Sequence, residues 1–271
     1  MSVQPAVALT IAGSDSCGGA GVEMDLKVFG ALGVFGTCAV TALTAQNTVG
    51  VRGAWEAPPA FLAAQIEAVL DDLPVEAAKT GMLSSEAVVR ALVELIERRT
   101  FPPLVVDPVV IANDGTHLLS DEGINAVRDH LLPLATITTP NVPEAEALAS
   151  MTINSEEDLR SAAQKLRTLG CSWVLVKGGH MQGREVTDLL LGPDHEQALS
   201  SPRLPGGPFH GTGCALSAAT TAFLARGRPI PEAVRRGREF VQHLLRHARS
   251  LGGGARVLHP QPYSPSKGSQ Q

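Results

Sequence analysis

The sequence predicts an α/β protein: a single, mostly parallel β-sheet with helices packed on both faces. Three observations carry that expectation. Short apolar runs alternate with longer segments of helical period. The runs lack a polar face, as strands covered on both sides do. No low-complexity linker and no fixed-period repeat divides the chain, so residues 1–260 are expected to form one domain, followed by a polar, disordered tail over 261–271.

Val7 to Ile11 reads as the first buried strand, and Gly13 to Gly21 as a glycine-rich loop after it. Val22, Leu26 and Phe29 then share one helical face, and Gly33 stops the helix. Thr37 to Thr44, rich in β-branched residues, reads as one strand leading to Ala45-Gln46-Asn47-Thr48. Phe61 to Leu70 is helical in period, and Val75 to Lys79 is a short strand closed by Thr80-Gly81-Met82. Serines 84 and 85 cap a helix that runs to about Arg98. Leu104 to Val106 is a strand ended by Asp107-Pro108, Ser120 to Leu132 a helix, and Ala135 to Thr139 a strand ended by Pro140-Asn141. Helices follow over Pro143 to Ala149 and Glu156 to Leu169, then strands over Trp173 to Val176 and Val186 to Leu191. A Pro/Gly-rich stretch from Ser201 leads into helices over Gly213 to Ala225 and Pro231 to Leu251.

Composition narrows the function classes. A chain that is 44% hydrophobic and 18% charged is globular rather than disordered. A net charge of −5 argues against a nucleic-acid partner; Arg235-Arg236-Gly237-Arg238, the densest basic patch, reads as solvated surface splayed around a helix. No apolar run is long enough to span a membrane. Cys17, Cys38, Cys171 and Cys214 are scattered with no C-x-x-C pair, which suits reduced thiols in a cytoplasmic protein and excludes a zinc ribbon or thioredoxin motif.

The chemistry gathers behind the strands. Asp15, Gln46, Lys79, Asp107, Asn141 and Lys177 each lie at or just past an apolar run. Parallel strands share one carboxyl edge, where open α/β sheets bind ligands, so these groups are expected to converge. His210-Gly211-Thr212-Gly213-Cys214 opens a helix with two glycines, leaving first-turn amides free to take an anion such as phosphate. Read alone, that pentapeptide is equally a turn that starts a buried helix, and Asn141 equally a helix cap. Glu144, one turn into its helix, suits Mg²⁺ held through water or a favourable partner of the helix dipole. Lys177, followed by two glycines, would offer a point charge to nucleotide phosphates. Neither a P-loop nor a dinucleotide fingerprint occurs in the chain.

The motifs also form an ordered set. Ala12-Gly13-Ser14-Asp15 with Gly18-Gly19-Ala20-Gly21, Ala45-Gln46-Asn47-Thr48, Lys79-Thr80-Gly81-Met82-Leu83, Asp107-Pro108-Val109, Pro140-Asn141-Val142-Pro143-Glu144-Ala145, Lys177-Gly178-Gly179-His180 and His210 to Cys214 follow one another. Together, over roughly residues 6 to 250, they resemble the hydroxymethylpyrimidine/phosphomethylpyrimidine kinases of thiamine biosynthesis, members of the ribokinase-like superfamily. The resemblance implies the ribokinase-like three-layer fold. It also implies an ATP-dependent, Mg²⁺-requiring kinase that phosphorylates 4-amino-5-hydroxymethyl-2-methylpyrimidine and then its monophosphate, as a homodimer. On the same resemblance Gln46 reads the pyrimidine edge, and Gly13, Ala20, Met82 and Val109 wall the ring. Lys177, Asp107 and Asn141 would serve the nucleotide, Asp107 and Glu144 the metal, and the amides of Gly211, Thr212, Gly213 and Cys214 the transferring phosphoryl group.

Cys214 stands where sugar kinases of the superfamily carry an aspartate base, and its thiol at a helix N-terminus is either a base with thiolate character or a passive group beside its own amide. Cys17 and Asn113-Asp114-Gly115 depart from the usual pattern. A pyridoxal or pyridoxine kinase is the alternative, because both rings are flat heteroaromatics bearing a hydroxymethyl group; a catalytically silent ligand-binding protein is a third reading.

Overall fold

The computed structural model describes residues 4–111 and 115–262. The elements in chain order are β1 (Val7–Ala12), α1 (Gly21–Ala31), β2 (Phe35–Val40), β3 (Ala42–Gln46), β4 (Val51–Glu56), α2 (Pro59–Asp72), β5 (Val75–Thr80), α3 (Glu86–Glu97) and β6 (Leu104–Val106). Then follow α4 (Asp121–Ala126), β7 (Ile137–Thr138), α5 (Val142–Ala149), α6 (Glu156–Thr168), β8 (Trp173–Val176), β9 (Glu185–Gly192), β10 (His195–Pro202), β11 (Phe209–His210), α7 (Thr212–Ala225), α8 (Ile230–Arg246) and β12 (Arg256–Val257).

Eight strands form one sheet in the order β10-β9-β8-β7-β6-β5-β1-β2. The six from β8 to β2 run parallel, and β9 and β10 add an antiparallel edge. Alternate residues of each strand feed opposite faces, as the pleat requires. Leu9, Ile11, Ala78, Leu104, Val106, Val174 and Val176 join a core with α2 to α6, whereas Ala8, Ala77, Val105, Ile137 and Leu175 join one with α1, α7 and α8. This is the three-layer α/β architecture that the strand pattern predicts.

Helix α7 is apolar on nearly every side because it is buried between the sheet and α8. Its two buried threonines are satisfied within the helix: Thr220 Oγ1 donates to Leu216 O (2.9 Å) and Thr221 Oγ1 to Ser217 O (2.8 Å). Gly237 of α8 lets the two helices approach, since a Cβ there would sit 3.1 Å from Thr220 Oγ1.

Several sequence expectations are corrected. The single strand expected over Thr37 to Thr44 is two strands that part at Thr41. Its amide bonds Ala12 O (3.0 Å) and its hydroxyl bonds Met82 O (2.7 Å), so the chain turns out of the main sheet there. The second piece, β3, pairs antiparallel with β4 in a separate hairpin. β4 and β10 carry too few buried apolar residues to stand out by pattern. The helix expected over Ser120 to Leu132 is regular only to Ala126 and continues as a π turn and a 3₁₀ turn, where Pro133 has no N–H to give. The last helix ends at Arg246, short of Leu251. Residues 112–114, with Asn113 and Asp114, and the tail from residue 263 lie outside the described residues.

The hairpin tip is held by the C-terminal segment. Ala255 N bonds Thr48 O (2.8 Å) and Gly254 N bonds Thr48 Oγ1 (3.3 Å), with the backbones so close that a Cβ on Gly254 would lie 1.9 Å from Thr48 O.

Candidate active site

Four of the six strand-end residues sit on the carboxyl edge of the main sheet. Asp15 follows β1, Asp107 follows β6, and Asn141 and Lys177 bridge each other in parallel beyond β7 and β8. Gln46 reaches the same edge by another route, from the end of the hairpin strand β3. Lys79 lies inside β5 rather than beyond it, fully buried.

The loop between β1 and α1 folds around Asp15. One carboxylate oxygen accepts from Gly19 N (3.1 Å) and Ala20 N (2.9 Å), and the other from Cys17 N (3.0 Å). Glu23, in the first turn of α1, accepts from Ser14 Oγ and Asp15 N, both at 2.7 Å. Burial pushes the Asp15 carboxyl up, but hydrogen bonds from His210 and Cys17 outweigh it and hold the group below its usual range. Asp15 therefore organises the loop.

His210 connects this loop to Gln46. Its Nε2 lies 2.8 Å from Asp15 Oδ2 and 3.3 Å from Gln46 Nε2. Thr44, two residues earlier on the hairpin, also touches the Gln46 amide, at 3.2 Å. Gly211 follows with φ of +77° and a backbone so close to Gly19 that a Cβ would sit 1.9 Å from Gly19 O. Only glycine fits there. Helix α7 then begins with no side-chain cap, leaving its first amides to a ligand.

Lys177 stands beneath that first turn. A Cβ on Gly213 would lie 3.3 Å from Lys177 Nζ and 3.8 Å from Asp107 Oδ2. Lys177 Nζ donates to Asp107 Oδ1 (2.9 Å) and approaches Glu144 Oε2 (3.8 Å). Asp107 also accepts from Thr139 Oγ1 (3.1 Å) and Ser217 Oγ (3.0 Å). Burial raises the Asp107 carboxyl, yet Lys177 and Lys79 together bring it below its ordinary value. Glu144 is pushed up to about 7, by burial first and by Asp107 despite Lys177. Asn141 and Glu144 form a capping box: Asn141 N donates to Glu144 Oε2 (2.7 Å) and Glu144 N to Asn141 Oδ1 (2.9 Å). The cap reading of Asn141 is thus the one observed, and its backbone also bridges that of Lys177.

The Lys177 turn is braced from behind. Gly178 N donates to Asp188 Oδ1 (2.8 Å), and Asp188 Oδ2 accepts from Arg238 Nε (2.7 Å). Arg238 is thus no solvated surface group, because α8 turns it inward onto β9; Arg235 and Arg236 do pair on the outside, with Glu239 and Glu232.

The surroundings of Cys214 weigh on its two readings. Burial, with Asp25 and Asp107 nearby, pushes its thiol up to about 11 even though Lys79 pulls the other way. That direction favours the neutral thiol over thiolate character from the helix N-terminus. Beneath it lies a buried ion pair that the sequence pattern hides. Lys79 Nζ contacts both oxygens of Asp25 at 2.9 Å, and Thr10 Oγ1 adds a bond of 2.6 Å. Burial would lower the Lys79 ammonium, and Asp25 overrides it. Asp25 sits in an apolar helical face where periodicity flags nothing polar.

Of the expected ring-wall residues, Gly13 faces Met82, whose Sδ lies 3.0 Å from where a Gly13 Cβ would be. The Cα of Ala20 lies 3.4 Å from where a Gly211 Cβ would be. Val109 belongs to the turn after β6, its amide bonded back to Asp107 O (2.9 Å). A separate cavity of about 520 Å³ between α6 and β9, lined by Leu159, Met181 and Leu189 among others, shares no residue with this cluster.

The family profile described as phosphomethylpyrimidine kinase matches residues 15–259. A hydroxymethylpyrimidine/phosphomethylpyrimidine kinase of Streptomyces coelicolor is 45% identical over 252 residues, 93% of each chain. The thiamine biosynthesis bifunctional protein ThiED of Geobacter sulfurreducens is 44% identical over 91% of this chain and 50% of its own length. Among solved structures, a phosphomethylpyrimidine kinase from Clostridium difficile 630 matches with a TM-score of 0.79 at 39% identity, covering 88% of this chain and 98% of that one. A pyridoxal kinase from Staphylococcus aureus in complex with AMP-PCP and pyridoxal matches with a TM-score of 0.87 at 32% identity, covering 95% and 94%.

Proposed function

The chain belongs to the phosphomethylpyrimidine kinase family, and from that premise we propose that it phosphorylates 4-amino-5-hydroxymethyl-2-methylpyrimidine with ATP. It then phosphorylates the monophosphate to the diphosphate, in thiamine diphosphate biosynthesis. One observation carries the reading. Gln46 contacts His210, the chain runs on through Gly211 to Gly213, and a Cβ on Gly213 would lie 3.3 Å from Lys177 Nζ, which is itself paired with Asp107. A ring reader and a phosphate-side cation therefore flank the same uncapped helix start.

Mg²⁺-ATP, when bound, supplies the phosphoryl group and a divalent charge that offsets its phosphates. The residues present fit that group, because two hard carboxylates, Asp107 and Glu144, already share one cation, the ammonium of Lys177. Asp107 accepts from Lys177, Thr139 and Ser217, so of the pair Glu144 would be the freer to meet a hydrated ion. Lys177 would turn to the phosphates, its charge maintained by both carboxylates. Asn141 orients Glu144, and Asp188 with Arg238 orients the Lys177 turn. The amides of Gly211, Thr212, Gly213 and Cys214 would hold the transferring oxygens, a task worth on the order of 10²–10³ in rate per well-placed donor. Phosphoryl transfer through a loose transition state asks little of a base, which agrees with a neutral Cys214 thiol.

On the other side Gln46 would present an amide to the ring edge, donating and accepting at once. Gly13, Ala20, Met82 and Val109 would wall the ring. The same reading makes the protein a cytoplasmic homodimer that acts on small molecules rather than nucleic acid or membrane. Leu43 and Trp55, cross-strand partners on the hairpin and both more than half exposed, support a face for a second copy. Among the described residues no helix is long and apolar enough to cross a membrane.

A pyridoxal kinase is the second reading, favoured by the AMP-PCP and pyridoxal complex of the Staphylococcus aureus enzyme. Fold alone does not select a substrate. Identity of 45% to a pyrimidine kinase against 32% to that pyridoxal kinase favours the pyrimidine. The deciding experiment is product analysis with hydroxymethylpyrimidine, ATP and Mg²⁺, beside steady-state kinetics with pyridoxal. Appearance of the diphosphate supports the reading; a far higher kcat/KM on pyridoxal overturns it.

A further inference from the structure

The β1–α1 loop and the residue just before α7 bring together three ligands of different chemistry that phosphoryl transfer does not use as a set. Asp15, Cys17 and His210 each offer one donor atom, and the three atoms lie within 4.8 Å of one another. Asp15 Oδ2 is 2.8 Å from His210 Nε2 and 3.3 Å from Cys17 Sγ. Asp15 and His210 are buried, at 2% and 8% exposure, whereas Cys17 is open to solvent, which provides an entry path.

We propose that Asp15, Cys17 and His210 form a binding site for a zinc-class divalent cation at the ring side of the active site. An oxygen, a sulfur and an imidazole nitrogen suit Zn²⁺ or Co²⁺, whereas Mg²⁺ takes oxygen donors and has little use for a thiolate. The site therefore does not compete with Asp107 and Glu144 for the nucleotide's metal. Bond lengths of about 2.0–2.3 Å in a tetrahedral arrangement put ligand atoms about 3.3–3.6 Å apart. The Asp15–Cys17 pair already has that spacing at 3.3 Å, and the Asp15–His210 pair must open from 2.8 Å by about half an ångström. The carboxylate is already aimed, because Gly19, Ala20 and Cys17 amides fix it, and Gly19 closes against the imidazole so tightly that a Cβ would meet it at 2.4 Å. These supports do for the donors what outer-shell partners do in built metal sites.

The charge balances. On binding, Cys17 gives its thiol proton to solvent, and the neutral imidazole carries its hydrogen on Nδ1, so that the Nε2 lone pair meets the ion. Thiolate and carboxylate then neutralise the dication, and a fourth position stays open to water. His210 can no longer contact Gln46 as it does in the free protein, at 3.3 Å. Occupancy thus disturbs the ring reader and leaves the Lys177 side untouched, which makes the site inhibitory towards the ring substrate.

The test uses the full chain titrated with Co²⁺ in excess Mg²⁺, without nucleotide or ring. One equivalent should bind with thiolate-to-cobalt charge-transfer absorption in the near ultraviolet, and Zn²⁺ should displace it. Cys17→Ser should abolish the absorption and weaken Zn²⁺ inhibition at least tenfold while basal kinase activity persists. In the unsubstituted protein Zn²⁺ should raise KM for the ring compound with KM for ATP unchanged. The proposal is overturned if no absorption appears, or if it survives Cys17→Ser and so belongs to another cysteine. The spectroscopic arm needs no substrate, so it stands or fails apart from the identity of the phosphorylated ring.

Discussion

Three side chains have surroundings from which a proposed role can be tested. Cys214 occupies a helix N-terminus, yet burial and two neighbouring carboxylates push its thiol up to about 11. Replacing it with alanine keeps the backbone amide, so Cys214→Ala should retain kcat within about threefold, far less than the 10²–10⁴ that loss of a general base costs. Steady-state kinetics at saturating substrates reads this directly. Gln46 makes the opposite case, because an apolar replacement strands ring atoms it would have paired. Gln46→Leu should raise KM for the pyrimidine about tenfold, equivalent to about 1.4 kcal/mol, and leave KM for ATP unchanged; equal KM for the pyrimidine would count against its role. Glu144 carries a pH signature. Its folded value of about 7 lies above the ordinary 4.5, so the folded protein holds a proton that the unfolded chain has released between those limits. Stability from this group is complete below pH 4.5 and declines as pH rises through 7. Glu144→Gln mimics the protonated carboxyl and can still accept from Asn141 N. Without Mg²⁺ and nucleotide it should raise Tm at pH 8 by about 2–4 °C for each kcal/mol recovered, with no gain at pH 4, while kinase activity falls.

At the level of elements, the site depends on a loop and a helix start that interlock without side chains between them. Gly211 is held at a φ of +77° with its Cα facing the Gly19 carbonyl. Gly211→Ala therefore meets both a left-handed backbone, worth about 1–2 kcal/mol, and a clash at 1.9 Å with main chain that cannot rotate away. Loss of most kinase activity and a lower thermal midpoint are expected, whereas Gly179→Ala, with open space around it, serves as the tolerated control. The glycine pair at 211 and 213 is visible in the sequence, but alone it is equally the turn that starts a buried helix; the close approach of Gly211 to Gly19 is seen only in the fold. The Asp25–Lys79 pair is not legible in the sequence, because an acid in an apolar helical stripe looks like an imperfect stripe until Lys79 is seen 2.9 Å away. Asp188 and Arg238 escape for a related reason: each sits in a segment whose neighbours are surface-like or apolar, and only the packing of α8 on β9 joins them.

At the level of the whole molecule, the parallel core was readable from apolar runs because burial on both faces removes any polar alternation. The hairpin was not. Thr37 to Thr44 is continuous in β propensity, and the departure at Thr41 is caused by bonds to Ala12 and Met82, which lie distant in sequence. Convergence on one edge held for Asp15, Asp107, Asn141 and Lys177 because parallel strands impose it. Gln46 arrives there only because a second, small sheet leans over the edge.

That small sheet behaves like an arch with two footings. One is the Thr41 turn; the other is the glycine run near residue 254, about two hundred positions downstream. Gly254→Ala should lift the second footing, since its methyl would fall 1.9 Å from Thr48 O. Faster amide hydrogen exchange at residues 47–51 and weaker retention of the ring, with nucleotide affinity unaltered, are the expected result. On the proposed reading, retention of the ring would therefore hang partly on Gly254, about two hundred positions after Gln46 in the sequence.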